Sequence, residues 1–196
     1  MSQPQAVPRA LLDANVLWSP VVRDTLLRAA EYGLILPLWS RDILAELVRT
    51  ILTKRPEARA ENLTRTIARM QSAFPNSTVD GYATLIPQLT NHPGDRHVLA
   101  AAIRGNAEVI VTWNGRHFLP AAEALHGIAV STPDTLLCQL WERHKALVST
   151  LLIEQGAGLH PPKSLATTLQ SLRRSGASDF ADRVDVEMHG GTTSSA

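Results

Sequence analysis

An α/β sandwich around a mostly parallel central sheet is the fold class this sequence predicts. Three observations point there. Short apolar runs at 10–12, 34–36, 109–112 and 128–130 alternate with helical patterns. The runs are too short for helices and end abruptly in polar residues, as buried parallel strands do. Pro, Ser and Gly stand at the ends of the intervening segments, where helices start and stop. Strand–helix alternation of this kind favours a parallel sheet covered by helices.

The elements follow in order. After a polar start, Ala10, Leu11 and Leu12 form a first strand that runs into Asp13, Ala14 and Asn15. Ser19 and Pro20 open a helix carrying Leu26, Leu27 and Ala30, with Gly33 just past its end. Leu34, Ile35 and Leu36 read as a second strand, and Ser40 as the cap of a second helix. In that helix Ile43, Leu44, Leu47, Val48 and Ile51 recur at helical spacing. Pro56 is expected to start a third helix reaching Phe74, with Leu63, Ile67 and Met70 as its apolar stripe. An irregular segment leads to Pro93, Gly94 and Asp95, then to an Ala-rich helix closed by Gly105. A strand follows from Val109, a loop over 113–118, a short helix over 120–125 and a strand at 128–130. Pro133 and Asp134 begin a helix that runs past Trp141, with Asp134 in the first turn where the helix dipole favours an anion. Gly156, Ala157, Gly158, Pro161 and Pro162 read as a linker. Leu165, Leu169 and Leu172 then sit at helical spacing, followed by a shorter segment with Phe180 and Val184. The expected organisation is a main domain over 8–155, a helical extension over 163–188 and a disordered tail over 189–196.

Composition narrows the function classes. The chain has 196 residues, 44% hydrophobic and 19% charged, which excludes disordered and collagen-like classes. Its single Cys138 excludes a disulfide framework and any multi-cysteine zinc module, and fits a core residue among Leu136, Leu137 and Leu140. No apolar run is long enough to span a bilayer, so no membrane partner is expected. Residues 1–9 lack the apolar core of a signal peptide, so a cytoplasmic location is expected. Phosphate-loop, dinucleotide, zinc-protease and serine-hydrolase motifs are absent.

Three carboxylates stand where chemistry is expected. In open α/β sheets ligands bind beyond the carboxyl ends of the strands. Asp13 ends the first strand, and Asp95 starts a helix that can face the same crevice. Glu46 lies on the side of its helix shared with Ile43 and Thr50, near the buried stripe, where an unpaired charge is costly. Together they form a hard-oxygen set suited to Mg²⁺, with Mn²⁺ as a substitute. An ion held so can activate water and neutralise charge on a phosphate, which is phosphodiester hydrolysis. Each residue also has a plainer role open to it. Asp95 can be a helix cap, Asp13 a turn residue, and Glu46 a partner of Arg49 or Arg41.

Four stretches carry a family resemblance. Leu11 to Leu17 resembles the opening strand motif of PIN-domain nucleases, and Asp42 to Leu47 is similar to the helix bearing their glutamate. Pro93 to Ala102 resembles the segment supplying their third acid, and Ile110 to Phe118 the following strand and loop. The motifs occur in family order over residues 9–145, and the group they resemble is the VapC-type ribonuclease toxins of bacterial toxin–antitoxin pairs. The resemblance implies a Mg²⁺-dependent endoribonuclease restrained by a cognate antitoxin and often homodimeric. Asp13, Glu46 and Asp95 would be the metal ligands, with Asn15 ordering the first strand end and Thr112 bordering the site. One departure matters. Many members carry a fourth acid at a position matching Asn114 or His117, and neither is acidic here. Asn114 can still hold water or substrate by hydrogen bonds but adds no charge. One Mg²⁺ rather than two is therefore expected.

The remaining features are weaker. His92 and His97 flank Asp95, but their five-residue offset is no standard zinc-ligand spacing. Arg55, Arg59, Arg65 and Arg69, with Arg116 in the later loop, could guide an RNA backbone, or form a solvated face paired with Glu57 and Glu61. Nine aromatic residues are too few for extensive base stacking. Two further readings remain open: a PIN-like module that binds RNA or protein without cutting, and a structure-specific DNA nuclease. The formal net charge of +1 does not oppose a nucleic-acid partner. With three of the 18 acids assigned to a metal site, the rest of the chain carries +4, and 16 of its 19 cations are Arg.

Overall fold

The computed structural model describes residues 7–118 and 126–189. Five strands, β1 (Arg9–Leu12), β2 (Leu36–Ser40), β3 (Thr78–Val79), β4 (Val109–Val111) and β5 (Ala129–Ser131), form one sheet in the order β3-β2-β1-β4-β5. Every pair is parallel. The helices are α1 (Ala14–Leu17), α2 (Pro20–Glu31), α3 (Arg41–Lys54), α4 (Ala60–Ala73), α5 (Arg96–Arg104), α6 (Pro133–Ala157), α7 (Leu165–Arg174) and α8 (Ser178–His189). This is the parallel α/β/α architecture that the alternating pattern predicts.

The described residues group into two compact units, those within 1–18 and 35–131, and those within 19–34 and 132–196. In the first, α5 packs on β1, β2 and β4, and α3 packs on β2. Leu11, Leu12, Ile43, Leu99, Ile110 and Phe118 are fully buried there. The sheet order reverses at β1, which pairs with β2 on one side and β4 on the other. Such a switch point leaves a crevice at the carboxyl ends of the two adjacent strands. Asp13 follows β1 and its N–H continues the ladder to the Val111 carbonyl at 3.1 Å. Thr112 follows β4. The topology thus brings the two residues together.

Several boundaries differ from the sequence expectation for identifiable reasons. The second strand begins at Leu36, not Leu34, because the Leu34 N–H closes the end of α2 on the Ala29 carbonyl at 2.8 Å. Gly33 makes that closure possible with φ of +69°. β2 then continues through Pro37, which lacks a donor. Trp39, two residues on, directs its N–H to Ser77, and β3 extends only opposite Trp39 and Ser40. The missing donor of Pro37 therefore costs no ladder bond to β3. α4 begins at Ala60 rather than Pro56, with Arg59 as its cap, and the last strand is one residue later than expected. The short helix expected over 120–125 and residues 190–196 of the tail expected over 189–196 lie outside the described residues, while His189 ends α8.

The second unit consists of α2, α6, α7 and α8 packed on one another. Leu26, Leu152, Leu169, Leu172, Phe180 and Val184 are fully buried. The Asp134 carboxylate accepts the Phe180 N–H at 2.8 Å, which places it at the start of α8. Gly156 and Ala157 belong to α6 and not to a linker. A Cβ at Gly156 would lie 2.4 Å from the Lys163 carbonyl oxygen, so the glycine is there to admit the returning chain. Buried Gln155 accepts the Thr25 hydroxyl at 2.8 Å and donates to the Val21 carbonyl at 3.0 Å, joining α6 to α2.

Candidate metal centre

Asp13 is the cap of α1 and is 3% exposed. Its Oδ1 accepts the Ala14 N–H at 2.7 Å. Its Oδ2 accepts the Asn15 amide at 2.7 Å and the Thr112 hydroxyl at 2.7 Å. A carboxylate offers about four acceptor positions, so one on Oδ1 is left for a ligand. Thr112 Oγ1 is the hub of this network, since it also accepts from the Asn15 amide and the Asn114 N–H, both at 3.0 Å. Asn15 Oδ1 in turn accepts the Trp113 N–H at 3.1 Å. The end of β1 and the turn after β4 are thereby locked together.

Burial pushes the Asp13 carboxyl up to about 6. The hydrogen bonds from Thr112 and Ala14 oppose that rise, while the nearby charges of Glu46 and Asp95 add to it. The charges of Glu46 and Asp95 thus reach the buried Asp13 carboxylate. A divalent cation would relieve this repulsion, and all-carboxylate oxygen donors suit a hard ion.

Asp95 is held in another way. Its backbone caps α5, but its carboxylate makes no capping bond. Oδ2 instead lies 3.0 Å from the His92 Nδ1 and 3.0 Å from the His117 Nδ1. Glu46 is only half-buried, and neither Arg49 nor Arg41 is its partner. Arg41 faces Asp80 at 3.5 Å, and the cation-capable group nearest Glu46 is His97, with Nε2 at 3.3 Å from Oε2. That contact is within ion-pair reach but is not aligned as a hydrogen bond, so the buried His97 Nε2 has no hydrogen-bond partner. Glu46 and His97 line an open cleft of about 480 Å³ together with Asp42, Ala45, Arg49 and Gly94.

A family model of the PIN domain matches residues 9–116. The chain belongs to the PIN domain family. It is also 42% identical, over 93 residues, to a protein of Mycobacterium tuberculosis (strain ATCC 25618 / H37Rv) named "Putative ribonuclease VapC50". The aligned region is 47% of this chain and 55% of that protein, so the match spans about half the length of the relative. No solved structure matches the chain.

Within this PIN domain, Asn15 and Thr112 are bonded to Asp13, and the charges of Glu46 and Asp95 reach it. Asn114 is exposed, and the contact it makes to this network is through its main-chain N–H. Arg55, Arg59, Arg65, Arg69 and Arg116 are all exposed. The Arg55 guanidinium lies over the Trp18 ring at 4.6 Å, a cation–π contact. One contact was not readable from the sequence: His117 meets Asp95 from a separate loop. A spacing rule does not find it, because it depends on how the turn after β4 is brought beside α5. Arg49, which helical spacing sets beside Glu46, lines the Glu46 cleft without pairing to it. Among the described residues no helix is long and apolar enough to cross a membrane.

Proposed function

We propose that this chain is a Mg²⁺-dependent endoribonuclease, the toxin of a toxin–antitoxin pair. The observation that carries the reading is the charge coupling of Asp13 to Glu46 and Asp95 at the sheet's switch point. Membership of the PIN family and the name of the Mycobacterium relative support it. A cognate antitoxin, a homodimeric assembly and a cytoplasmic setting belong to the same reading.

Asp13, Glu46 and Asp95 would hold the ion, with Mn²⁺ able to replace Mg²⁺. When bound, it supplies Lewis acidity at the scissile phosphate and lowers the pKa of a coordinated water. The protein supplies orientation. Thr112 and Asn15 fix the Asp13 carboxylate through donors that do not titrate near neutral pH, so its free acceptor position is set in advance. Arg49, in the cleft beside Glu46, offers a guanidinium to the RNA backbone. Asn114 would orient water or substrate at the edge of the site. The exposed arginines of α4, with Arg55 and Arg116, would steer RNA by charge.

Induction in bacteria tests the proposal. Growth arrest, accompanied by new RNA ends, is expected for the parent chain and is expected to vanish for Asp13→Asn and for Asp95→Asn. Arrest that persists unchanged in both variants would favour a binding module that acts without cutting. Cleavage of flapped DNA but not of single-stranded RNA under Mg²⁺ would favour the DNA nuclease.

A further inference from the structure

The surroundings of Asp95 are unlike those of a carboxylate meant only for Mg²⁺. His92 precedes it in a 3-10 turn over Pro93–Asp95, and His117 ends a second 3-10 turn over Gly115–His117. The Nδ1 atoms of both rings approach the same oxygen, Oδ2, at 3.0 Å. Nitrogen and oxygen donors of the three residues all lie within 4.8 Å of one another. The rings are stacked, with centroids 4.5 Å apart and planes 21° apart.

The two turns are also tied through the backbone. The His92 N–H donates to the His117 carbonyl at 3.1 Å, and the Asp95 N–H donates to the His92 carbonyl at 2.9 Å. The His117 N–H closes its own turn on Asn114 at 2.9 Å. The backbones that carry the three donors are thus held beside one another by main-chain bonds. That is the arrangement a metal site needs from its supporting residues.

Chemistry selects the ion. Imidazole suits Zn²⁺ and its first-row neighbours, whereas Mg²⁺ prefers oxygen alone. Bonds of about 2.1 Å at right angles would separate neighbouring donor atoms by about 3.0 Å, and tetrahedral bonds by about 3.4 Å. The two Nδ1–Oδ2 spacings of 3.0 Å fall at the first value and within easy relaxation of the second, and the three donors all lie within 4.8 Å of one another. We propose that His92, Asp95 and His117 form a binding site for a borderline transition-metal ion of the Zn²⁺, Co²⁺ or Ni²⁺ class. The site differs in donor type from the Asp13–Glu46–Asp95 set and shares with it only Asp95. It does not depend on whether the chain cleaves RNA. His97 is outside it, directed to Glu46 instead.

Sharing Asp95 gives the site a consequence. An ion seated on the two histidines draws on the same carboxylate that the all-oxygen set requires, so occupancy of one couples to occupancy of the other.

The test is titration of the full chain with Co²⁺ in the presence of excess Mg²⁺, read by visible d–d absorption and by calorimetry. One ion per chain is expected. His92→Ala and His117→Ala should each weaken binding by at least about 10-fold, and the double variant should abolish it. Asp13→Asn should retain binding. As a readout that needs no variant, the proton signals of both rings in the parent protein should show paramagnetic shifts on adding Co²⁺. Binding that survives the double histidine variant, binding lost in Asp13→Asn alone, or unshifted ring signals would each overturn the proposal.

Discussion

Asp13 and Asp95 are acids of the same candidate centre, yet the fold treats them oppositely. Asp13 is sealed at the end of the sheet and held by an amide, a hydroxyl and a main-chain N–H. Asp95 ends one turn and faces another, partly exposed, and its neighbours are imidazoles. The donors at Asp13 keep their protonation across the physiological range, so its geometry is constant but its charge is expensive. The neighbours of Asp95 can change partner, since imidazole can donate a proton or accept a metal. One carboxylate is rigid and electrostatically strained; the other is adaptable.

The largest effect should come from removing either charge. Asp13→Asn and Asp95→Asn should each lower Mg²⁺-dependent RNA cleavage by about a thousandfold or more, on the order of 4 kcal/mol of transition-state stabilisation. Single-turnover assays with purified protein would show it, and a loss confined to one variant would mean that the acids do not share an ion.

Stability against pH separates the two environments next. The Asp13 carboxyl is raised from 3.8 to about 6, so the folded state binds its proton more tightly than the unfolded chain. Its contribution is fully present below pH 4 and is lost as pH rises through 6, a change on the order of 3 kcal/mol. Denaturant unfolding without divalent ions should therefore show the protein weakening across that window. Asp13→Asn should flatten the slope, and saturating Mg²⁺ should offset the loss at neutral pH.

A smaller effect should follow from the hub hydroxyl. Thr112→Val leaves the sheet in place but removes the bond to Asp13 Oδ2 and an acceptor for Asn15 and Asn114. A 10- to 100-fold loss in Mg²⁺ affinity or activity is expected, the range typical of residues that orient a metal ligand. The smallest change should come from Arg59→Ala combined with Arg65→Ala. Each lost phosphate contact should lower the salt slope of RNA affinity by about one, with little effect on the cleavage rate of bound RNA. An unchanged slope would identify these arginines as solvated surface only.

These contrasts also explain what could be read in the sequence. Asp13 was legible because a buried parallel strand ends there, and a strand end in an open α/β sheet is where ligands bind. Glu46 was legible from its place near an apolar stripe. The parallel sheet followed from runs too short to be helices. Partners across loops were not legible. Whether His92 meets His97 or His117 depends on two 3-10 turns that no periodicity encodes. Gly156 showed the same limit in another form. Glycine beside alanine and glycine resembles a linker in one dimension, whereas here it is the close approach of a returning strand of chain within a helical unit.

The hydrogen bond between Thr25 and Gln155 spans 130 residues of sequence. α2 is made before its partners within its own unit, α6 and α7, which follow residue 131. At about 5–20 residues per second that interval is roughly ten seconds. Val22, Leu26 and Ala29 wait through it for helices that do not yet exist. A transcript cut short after β5 would thus yield a chain whose α2 lacks these partners, a natural target for quality-control proteases.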